Sequence, residues 1–303
     1  MYDIIIIGAG PAGLSAAIYA VRARLNAIVI EQNFVNGGQV LDASTVDNYP
    51  GIPGISGIDL AAKMAEHAEK LGVRTEYGIV RSMDLAGPVK KVTTDEGTFE
   101  AKTLIIASGA AHSKLGVQGE EQYAGMGVSY CATCDGAFYR NKDVLIAVDG
   151  DTGAKDALFL ARGCSKVYVV YKNAELRAAG FLQEDLRSLP NVEMIPNSFV
   201  KSITGGMKVE AVTVFNRTDK SSRTIPVSGV FIAVGSSPRS EFTSNHLAMD
   251  EKGYIIADET CATGIPGVFA AGDVRTKQLR QIVTAVADGA NAVTSVQKYL
   301  LKK

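Results

Sequence analysis

The stretch IIIIGAGPAG, residues 4–13, decides the fold of this chain. Four successive isoleucines predict a strand buried on both faces, and the alanine-rich segment after them predicts a helix from Pro11 to Arg24. The turn between them has the spacing GxGxxG. Gly8 permits a tight turn, Gly10 lets a diphosphate approach the helix N-terminus, and Gly13 lets helix and strand pack closely. The segment therefore predicts a dinucleotide site.

An acidic residue follows this turn at the distance that a dinucleotide site requires. A second apolar run, Ala27 to Ile30, predicts the next strand, and Glu31 ends it. An acid about 20 residues after the glycines accepts hydrogen bonds from ribose hydroxyls, and its charge disfavours a 2′-phosphate. Glu31 therefore favours a nucleotide without that phosphate.

The alternation of strands and helices continues and then repeats. It predicts an α/β fold of two Rossmann-like dinucleotide-binding-type domains, the second inserted in the first. We expect the discontinuous domain at 1–113 and 239–303 and the inserted domain at 114–238. The predicted elements are strands at 103–107, 143–148, 166–171, 253–256 and 267–271, and helices at 59–71 and 151–162.

Composition narrows the class of protein. Lys and Arg number 31 against 32 Asp and Glu, so the overall charge gives no reason to expect a nucleic acid or a membrane as partner. No apolar run reaches the length of roughly 20 residues that a bilayer span needs, and no basic leader precedes the first strand. We expect a cytoplasmic protein.

The cysteines favour redox chemistry over a disulfide framework or a zinc site. Four cysteines are too few for a framework, and only three histidines exist, none grouped with Cys164 or Cys261. The segment Tyr130 to Gly136 instead places Cys131 and Cys134 within bridging distance, where a disulfide forms reversibly. Cys164 and Cys261 have no such context, and we expect them to be inert.

At this point the chain resembles the low-molecular-weight thioredoxin reductases over nearly its whole length. That resemblance implies FAD as cofactor, thioredoxin as partner and a homodimer. The segments that carry it are GAGPAG (8–13), GGQ (37–39), DNYPG (47–51), ASGA (107–110), CATCDG (131–136), GVFAAGDV (267–274) and RQI (280–282).

The resemblance also implies roles for individual residues. Cys134 would face the flavin, Cys131 would attack the disulfide of thioredoxin, and Asp135 would protonate the departing thiolate. Asp273 would bind the ribityl chain, while Asn48 and Gln281, which could instead satisfy their own loop backbone, would contact the nucleotide and lie near the flavin ring. The FAD residues implied are Gly8, Gly10, Pro11, Ala12, Gly13, Glu31, Gly38, Gln39, Asn48, Gly109, Gly272, Asp273 and Gln281.

The inserted domain departs from the family at its glycine turn. Thioredoxin reductases carry a second fingerprint, GxGxxA, for NADPH, and here its positions are Val148, Gly150 and Gly153. A branched side chain replaces the first glycine, and Asp149 and Asp151 add two negative charges near a diphosphate. Two such charges oppose binding by on the order of 1 kcal/mol each.

The basic cluster that follows is reduced as well. Lys172 and Arg177 remain of the family pattern HRRxxxR, and Glu175 adds an acid. We therefore predict a degenerate pyridine-nucleotide site. The combination resembles the ferredoxin-linked flavin thioredoxin reductases, in which reduced ferredoxin supplies electrons one at a time.

Three other functions remain open on the sequence. The first is a conventional NADPH-dependent thioredoxin reductase whose altered turn still binds NADPH through Lys172 and Arg177. The second is a dithiol oxidase that passes electrons from a small dithiol to oxygen and forms peroxide. A non-catalytic flavin-binding interaction protein is disfavoured because Cys131, Cys134 and Asp135 are all present.

Overall fold

A computed structural model describes residues 1–43, 45–243 and 245–302 of the chain. The chain divides into two compact units, Met1–Ala111 with Ser237–Lys303, and His112–Ser236. Each of these boundaries lies two residues before the one expected from the sequence. No helix in the described residues is long and apolar enough to cross a bilayer.

The first unit is built on a seven-stranded sheet in the order β3-β2-β1-β6-β5-β4, with a last strand, Val268–Ala270, beside β6. β1, β2, β3 and β6 are parallel, and β4 and β5 form an antiparallel hairpin. Its early elements are β1 (Tyr2–Ile7), α1 (Pro11–Arg22), β2 (Ala27–Glu31), α2 (Gly57–Lys70), β3 (Arg74–Tyr77), β4 (Val80–Asp84), β5 (Lys90–Thr94) and β6 (Thr98–Ile106).

The chain leaves the first unit through β7 (Ala110–His112) and enters the second. This unit holds a parallel five-stranded sheet in the order β11-β10-β9-β15-β8 and an antiparallel sheet β12-β13-β14. Its elements are β8 (Val128–Ser129), α3 (Ala132–Asp135), β9 (Asp143–Val148), α4 (Gly150–Ala161), β10 (Lys166–Val170), α5 (Gly180–Ser188), β11 (Val192–Ile195), β12 (Ser198–Gly205), β13 (Val209–Asn216), β14 (Ser222–Pro226) and β15 (Gly229–Ala233).

The chain returns through β16 (Ser236–Pro238), which pairs with β7, and ends with β17 (Val268–Ala270) and α6 (Ile282–Leu300). The predicted strand at 253–256 is wrong. Gly253 has a φ of +83° and closes a turn by donating its N–H to Asp250 O, so Ile255 forms two isolated bridges, with Met249 and Arg275, and no strand. A positive φ is incompatible with an extended strand.

The isoleucines of β1 explain why this strand lies at the centre of its unit. Successive side chains of a strand point to opposite faces. Ile4 and Ile6 pack in one cluster with α1 and α6, while Ile5 and Ile7 pack in another on the far face with Leu104. Both faces are therefore covered, and the carboxyl end of β1 is left to present the glycine turn.

Candidate active site

The glycine turn after β1 tolerates no side chain at two of its positions. Gly8 has a φ of +104°, and a Cβ there would lie 2.4 Å from Ala107 O. A Cβ at Gly13 would lie 1.8 Å from Gly8 O. Backbone from α1, β1 and the end of β6 thus meets at distances that only glycine permits, as the sequence predicts.

Gly10 lies in a different environment, where a second glycine segment approaches the turn. Gly37 donates its N–H to Ala9 O at 2.8 Å, and a Cβ at Gly38 would lie 3.4 Å from Gly10 Cα. A Cβ on Gly10 itself would meet only Gly37 O, at 3.9 Å. The two segments form an open backbone cradle at the N-terminus of α1, where Pro11 begins the helix. This geometry fits a diphosphate.

Glu31 joins the end of β2 to this turn. Its Oε2 accepts the N–H of Ala9 at 2.7 Å, and its Oε1 accepts the backbone and side-chain N–H groups of Asn33 at 2.9 and 3.1 Å. The residue is buried. A carboxylate has about four acceptor positions, so one remains for a ribose hydroxyl in addition to the three bonds within the chain.

Asp273 lies on a 3₁₀ turn, Gly272–Val274, directly after β17. A Cβ at Gly272 would lie 2.8 Å from Ala12 Cβ, so tertiary packing brings this turn against the first glycine motif. Asp273 Oδ1 is buried and has no hydrogen-bond partner among the described residues. Burial raises the pKa of Asp273, and the charges of Lys277 and Arg280 oppose that rise.

A buried acceptor without a donor indicates a group that the chain itself does not supply. The side chain of Asn36, which immediately precedes Gly37, presents a second such oxygen. The two oxygens and the backbone cradle fit a ligand that carries both hydroxyls and a diphosphate, as FAD does. Sequence reasoning missed Asn36, although its place beside the GGQ segment is a signal that could have indicated it.

Other predicted cofactor residues are dispersed along the first unit. Asn48 donates its side-chain N–H to Gln281 Oε1 at 3.0 Å, and Gln281 caps the N-terminus of α6, so the structure joins these two residues. Gly38 and Gln39 begin a 3₁₀ turn, Gly38–Asp42. Gly109 follows β6 with a φ of +73°, and its O accepts the N–H of Arg239.

The cysteine pair lies in the second unit, on the short helix α3. Cys131 and Cys134 form a disulfide with their Cα atoms 5.3 Å apart, and both residues are half-buried. Cys131 is the N-cap of α3, and its Sγ accepts the N–H of Cys134 at 3.2 Å. A thiolate at Cys131 in the reduced pair would be stabilised by this donor, which favours it as the nucleophile.

Asp135 ends the same helix, and its surroundings favour the protonated carboxyl. Burial raises its pKa, an effect that a hydrogen bond with Ser129 partly opposes. Ser129 also accepts the N–H of Cys131 at 3.1 Å, so it links the acid to the cysteine. Ser129 was missed from the sequence; its position two residues before Cys131 was the available signal.

The remaining cysteines differ from this pair in both exposure and acidity. Cys164 and Cys261 are free and buried. Burial raises the pKa of Cys164 to about 11 and that of Cys261 to about 12. Both thiols therefore stay protonated at neutral pH, which makes them poor nucleophiles.

The turn after β9 has a shape different from the one after β1. Val148 remains in the strand, and Gly150 takes a φ of +75°, whereas in the first turn the positive φ is at Gly8. A Cβ at Gly153 would lie 2.7 Å from Val148 Cγ1, so helix and strand still pack closely. Asp151 accepts the N–H of Ala179 at 2.8 Å.

Comparisons with known proteins relate this chain to a family of oxidoreductases. The family profile of the pyridine nucleotide-disulphide oxidoreductases matches residues 2–289. A thioredoxin reductase of Listeria monocytogenes is 44% identical over 301 residues, 99% of this chain and 94% of the relative. The thioredoxin reductase of Streptococcus pyogenes superposes with a TM-score of 0.96 at 44% identity, over 100% of this chain and 99% of the other.

A ferredoxin-flavin thioredoxin reductase from Clostridium acetobutylicum is also similar, but less so. Its structure has a TM-score of 0.55 and 31% identity, over 100% of this chain and 99% of the other.

Two dinucleotide-binding-type domains, a cradle for FAD and a redox disulfide define a flavin-dependent disulfide oxidoreductase. FAD is the cofactor of this class, as predicted. At 44% identity over nearly its full length, the chain belongs to the low-molecular-weight thioredoxin reductase family.

Proposed function

We propose that this chain reduces thioredoxin through the Cys131–Cys134 pair, and that its electrons come from reduced ferredoxin and not from NADPH. The observation that carries the choice of donor is the turn between β9 and α4. Val148 is buried where a dinucleotide turn places a glycine, and the left-handed residue has moved to Gly150. This backbone lacks the shape of the turn at Gly8, which binds the diphosphate of FAD in this proposal.

The charges at this turn also oppose a diphosphate. Asp149 precedes α4 as its N-cap and is exposed. Asp151, also exposed, accepts the N–H of Ala179, a bond that leaves its negative charge in place. Both acids therefore lie where a diphosphate would meet the helix N-terminus.

The chemistry on the thioredoxin side follows from the helix that carries the pair. Bound FAD, once reduced by two electrons from the donor, would pass that pair on to the disulfide. The Cys131 thiolate then attacks one sulfur of thioredoxin and forms a mixed disulfide, and the other sulfur leaves as a thiolate. Asp135 supplies the proton that this thiolate takes up. Cys134 next attacks Cys131 Sγ, which releases reduced thioredoxin and restores the disulfide.

Anaerobic titration of the purified holoenzyme tests the donor. Four equivalents of reduced ferredoxin, a one-electron donor, should reduce both the disulfide and the flavin, and the oxidised flavin band should be fully bleached only when all four have been added. NADPH and NADH should bleach the band only slowly. Rapid, saturable bleaching by either nicotinamide at micromolar concentration would overturn the choice of ferredoxin.

A double variant tests whether the turn between β9 and α4 determines the electron donor. Val148→Gly with Asp149→Gly restores the first glycine of the fingerprint and removes the exposed acid, without changing the first unit. We expect it to gain NADPH-dependent bleaching of at least about tenfold, the factor expected from removal of about 1.4 kcal/mol of opposition. Unchanged rates with NADPH would show that the turn does not determine the donor.

One group of residues favours NADPH as a second candidate donor. Lys172, Arg177 and Arg217 are exposed, and Arg217 donates to Lys172 O at 3.3 Å. The acid that the sequence places in this loop, Glu175, is paired with Arg187 at 2.6 Å. Cations around this loop suit a 2′-phosphate. Arg217→Ala would lower NADPH turnover if this candidate is correct and would leave ferredoxin turnover unchanged.

A further inference from the structure

A buried group of charges lies behind the turn that carries Asp273. Asp288, on α6, accepts the N–H of Gly272 at 2.9 Å. Its two oxygens also accept Nε and Nη2 of Arg275, each at 2.8 Å, and its Oδ2 accepts Nζ of Lys277 at 2.8 Å. The carboxylate thus holds the backbone at the start of the turn and two cations that follow it.

Arg280 holds the opposite side of the same turn. Its guanidinium donates to Asp273 O at 3.3 Å and to Arg275 O at 3.1 Å. The group lies over the ring of Tyr254 with its Cζ 3.8 Å from the ring centroid. Asp288 binds an N–H of the turn and Arg280 binds its carbonyls, so the backbone that presents Asp273 is fixed from both directions.

The group carries more positive than negative charge. The side chains of Arg275 and Lys277 are 2% and 5% exposed, and one carboxylate, Asp288, lies between them. Glu259 lies 3.4 Å from Arg275, but its side chain is 88% exposed and water screens it. Arg275 and Lys277 outnumber Asp288, and Arg280 offsets the carboxylate of Asp273, so one positive charge remains in the group.

We propose that Asp288 is a positioning residue of the FAD site, and that its partners Arg275 and Lys277 keep a positive charge beside the turn that carries Asp273, a charge that would favour the more negative, reduced form of bound FAD. The inference rests on the assignment of Asp273 to FAD. None of the three residues needs to touch the cofactor. Asp288 orients the turn, and the excess charge favours the reduced flavin.

Asp288→Asn tests the positioning role in the holoenzyme. The amide keeps the size of the side chain but leaves two buried cations without a counter-charge, so the turn should shift. We expect the dissociation constant of FAD to rise about tenfold or more. Glu259→Gln is the matched control, because Glu259 reaches the same arginine from the solvent side; it should change FAD binding less than about twofold.

The midpoint potential of the bound flavin tests the charge. Asp288→Asn removes a negative charge and should shift the potential upward, whereas Lys277→Met removes a positive charge and should shift it downward. Lys277→Arg keeps the charge and should restore the wild-type potential. A purely structural role would weaken FAD binding in the first two variants without producing shifts of opposite sign. Shifts of the same sign would overturn the charge assignment.

Asp273→Asn distinguishes a failure of this inference from a failure of the FAD-site assignment on which it depends. If Asp273→Asn loses FAD and Asp288→Asn binds FAD as the wild type does, the positioning role is wrong and the FAD site stands. If Asp273→Asn itself retains wild-type FAD affinity, the assignment of Asp273 is wrong and the inference falls with it. Should Asp288→Asn fail to fold, Lys277→Met and Lys277→Arg still decide the charge, since the Arg275–Asp288 pair remains.

Discussion

The proposed role of Asp135 as a proton donor depends on its surroundings. It lies one residue after Cys134 and is linked through Ser129 to Cys131. Because burial raises its pKa, the carboxyl keeps its proton at a higher pH than an exposed aspartate does. A proton donor within one helical turn of the disulfide can protonate the thioredoxin thiolate that is displaced when Cys131 attacks.

Asp135→Asn removes this donor while preserving the shape of the side chain. We expect thioredoxin reduction to fall by about 10²-fold, the range typical of a lost general acid. The wild-type rate should fall as pH rises through the raised pKa, because the proton is lost there, and the variant should lack this decline. Pre-steady-state rates measured across pH check both effects. Flavin reduction by the donor is the internal control and should not change.

Asp156, on α4, is a second half-buried acid, and its titration should change the free energy of unfolding. Burial raises its pKa from 3.8 to about 6. The folded protein therefore binds this proton more tightly than the unfolded chain, and stability falls as pH rises from about 4 to about 6.

Asp156→Asn should therefore stabilise the protein above pH 6, by about 1–3 kcal/mol at roughly 1.4 kcal/mol per pKa unit with allowance for partial exposure. The advantage should shrink as pH falls toward 4. Urea unfolding of both proteins at several pH values measures it. Asp185→Asn, at an exposed position of α5, is the control; an equal gain there would contradict the role of burial.

At the scale of the element, the first glycine turn combines two separate requirements. Gly8 and Gly13 are needed for packing, because a Cβ at either position would lie within 2.4 Å of backbone oxygen. Gly10 has an ordinary φ of −77° and open space around its Cα. The fold does not require a glycine at position 10, but close approach of a ligand to the backbone there would require one.

Gly10→Ala should therefore fold normally and lose FAD. We expect the free energy of unfolding of the apoprotein to change by less than about 1 kcal/mol, while FAD affinity falls about tenfold or more. Gly13→Ala should instead destabilise the apoprotein by several kcal/mol, on the order of the larger effects known for point mutations. Fluorescence titration with FAD and urea unfolding check the pair. Wild-type FAD affinity in Gly10→Ala would show that no diphosphate approaches Gly10.

At the scale of the whole molecule, the two units have hydrophobic clusters of their own. Among the residues that the structure describes, three clusters belong to the first unit, around Ile4, Ile5 and Val40, and two to the second, around Val144 and Leu145. The proposed FAD residues all lie in the first unit. A ligand stabilises the unit that binds it, by about 2.7 kcal/mol at a hundredfold excess over its dissociation constant.

Removal of FAD should therefore loosen the first unit selectively. Hydrogen exchange with mass spectrometry should show reduced protection in peptides from 1–111 and 237–302, and little change in peptides from 112–236. Gly10→Ala, at an FAD concentration just sufficient to saturate the wild type, should show less protection of the first unit than the wild type does. Equal loss of protection in both units would contradict this prediction.

The sequence determined the class of fold, the first glycine turn and the redox disulfide, because each of these depends on residues close together in the chain. Four isoleucines, three glycines and a CxxC have local physical meanings that need no partner from elsewhere. The inserted order of the two units was also predictable, since strand and helix periodicity repeat along the chain. The strand predicted at 253–256 failed because the positive φ at Gly253 makes a turn there.

Only the tertiary structure decided which distant residues act together. It joined Asn48 to Gln281 and Gly272 to Ala12, pairs separated by more than 200 residues. It also buried Asp288 between two cations behind Asp273, although the sequence around Asp288 carries no motif. Burial, hydrogen-bond partners and counter-charges depend on the packing of elements that are remote in sequence. They set the protonation state and the orientation of a side chain, and neither property can be predicted from the residue type alone.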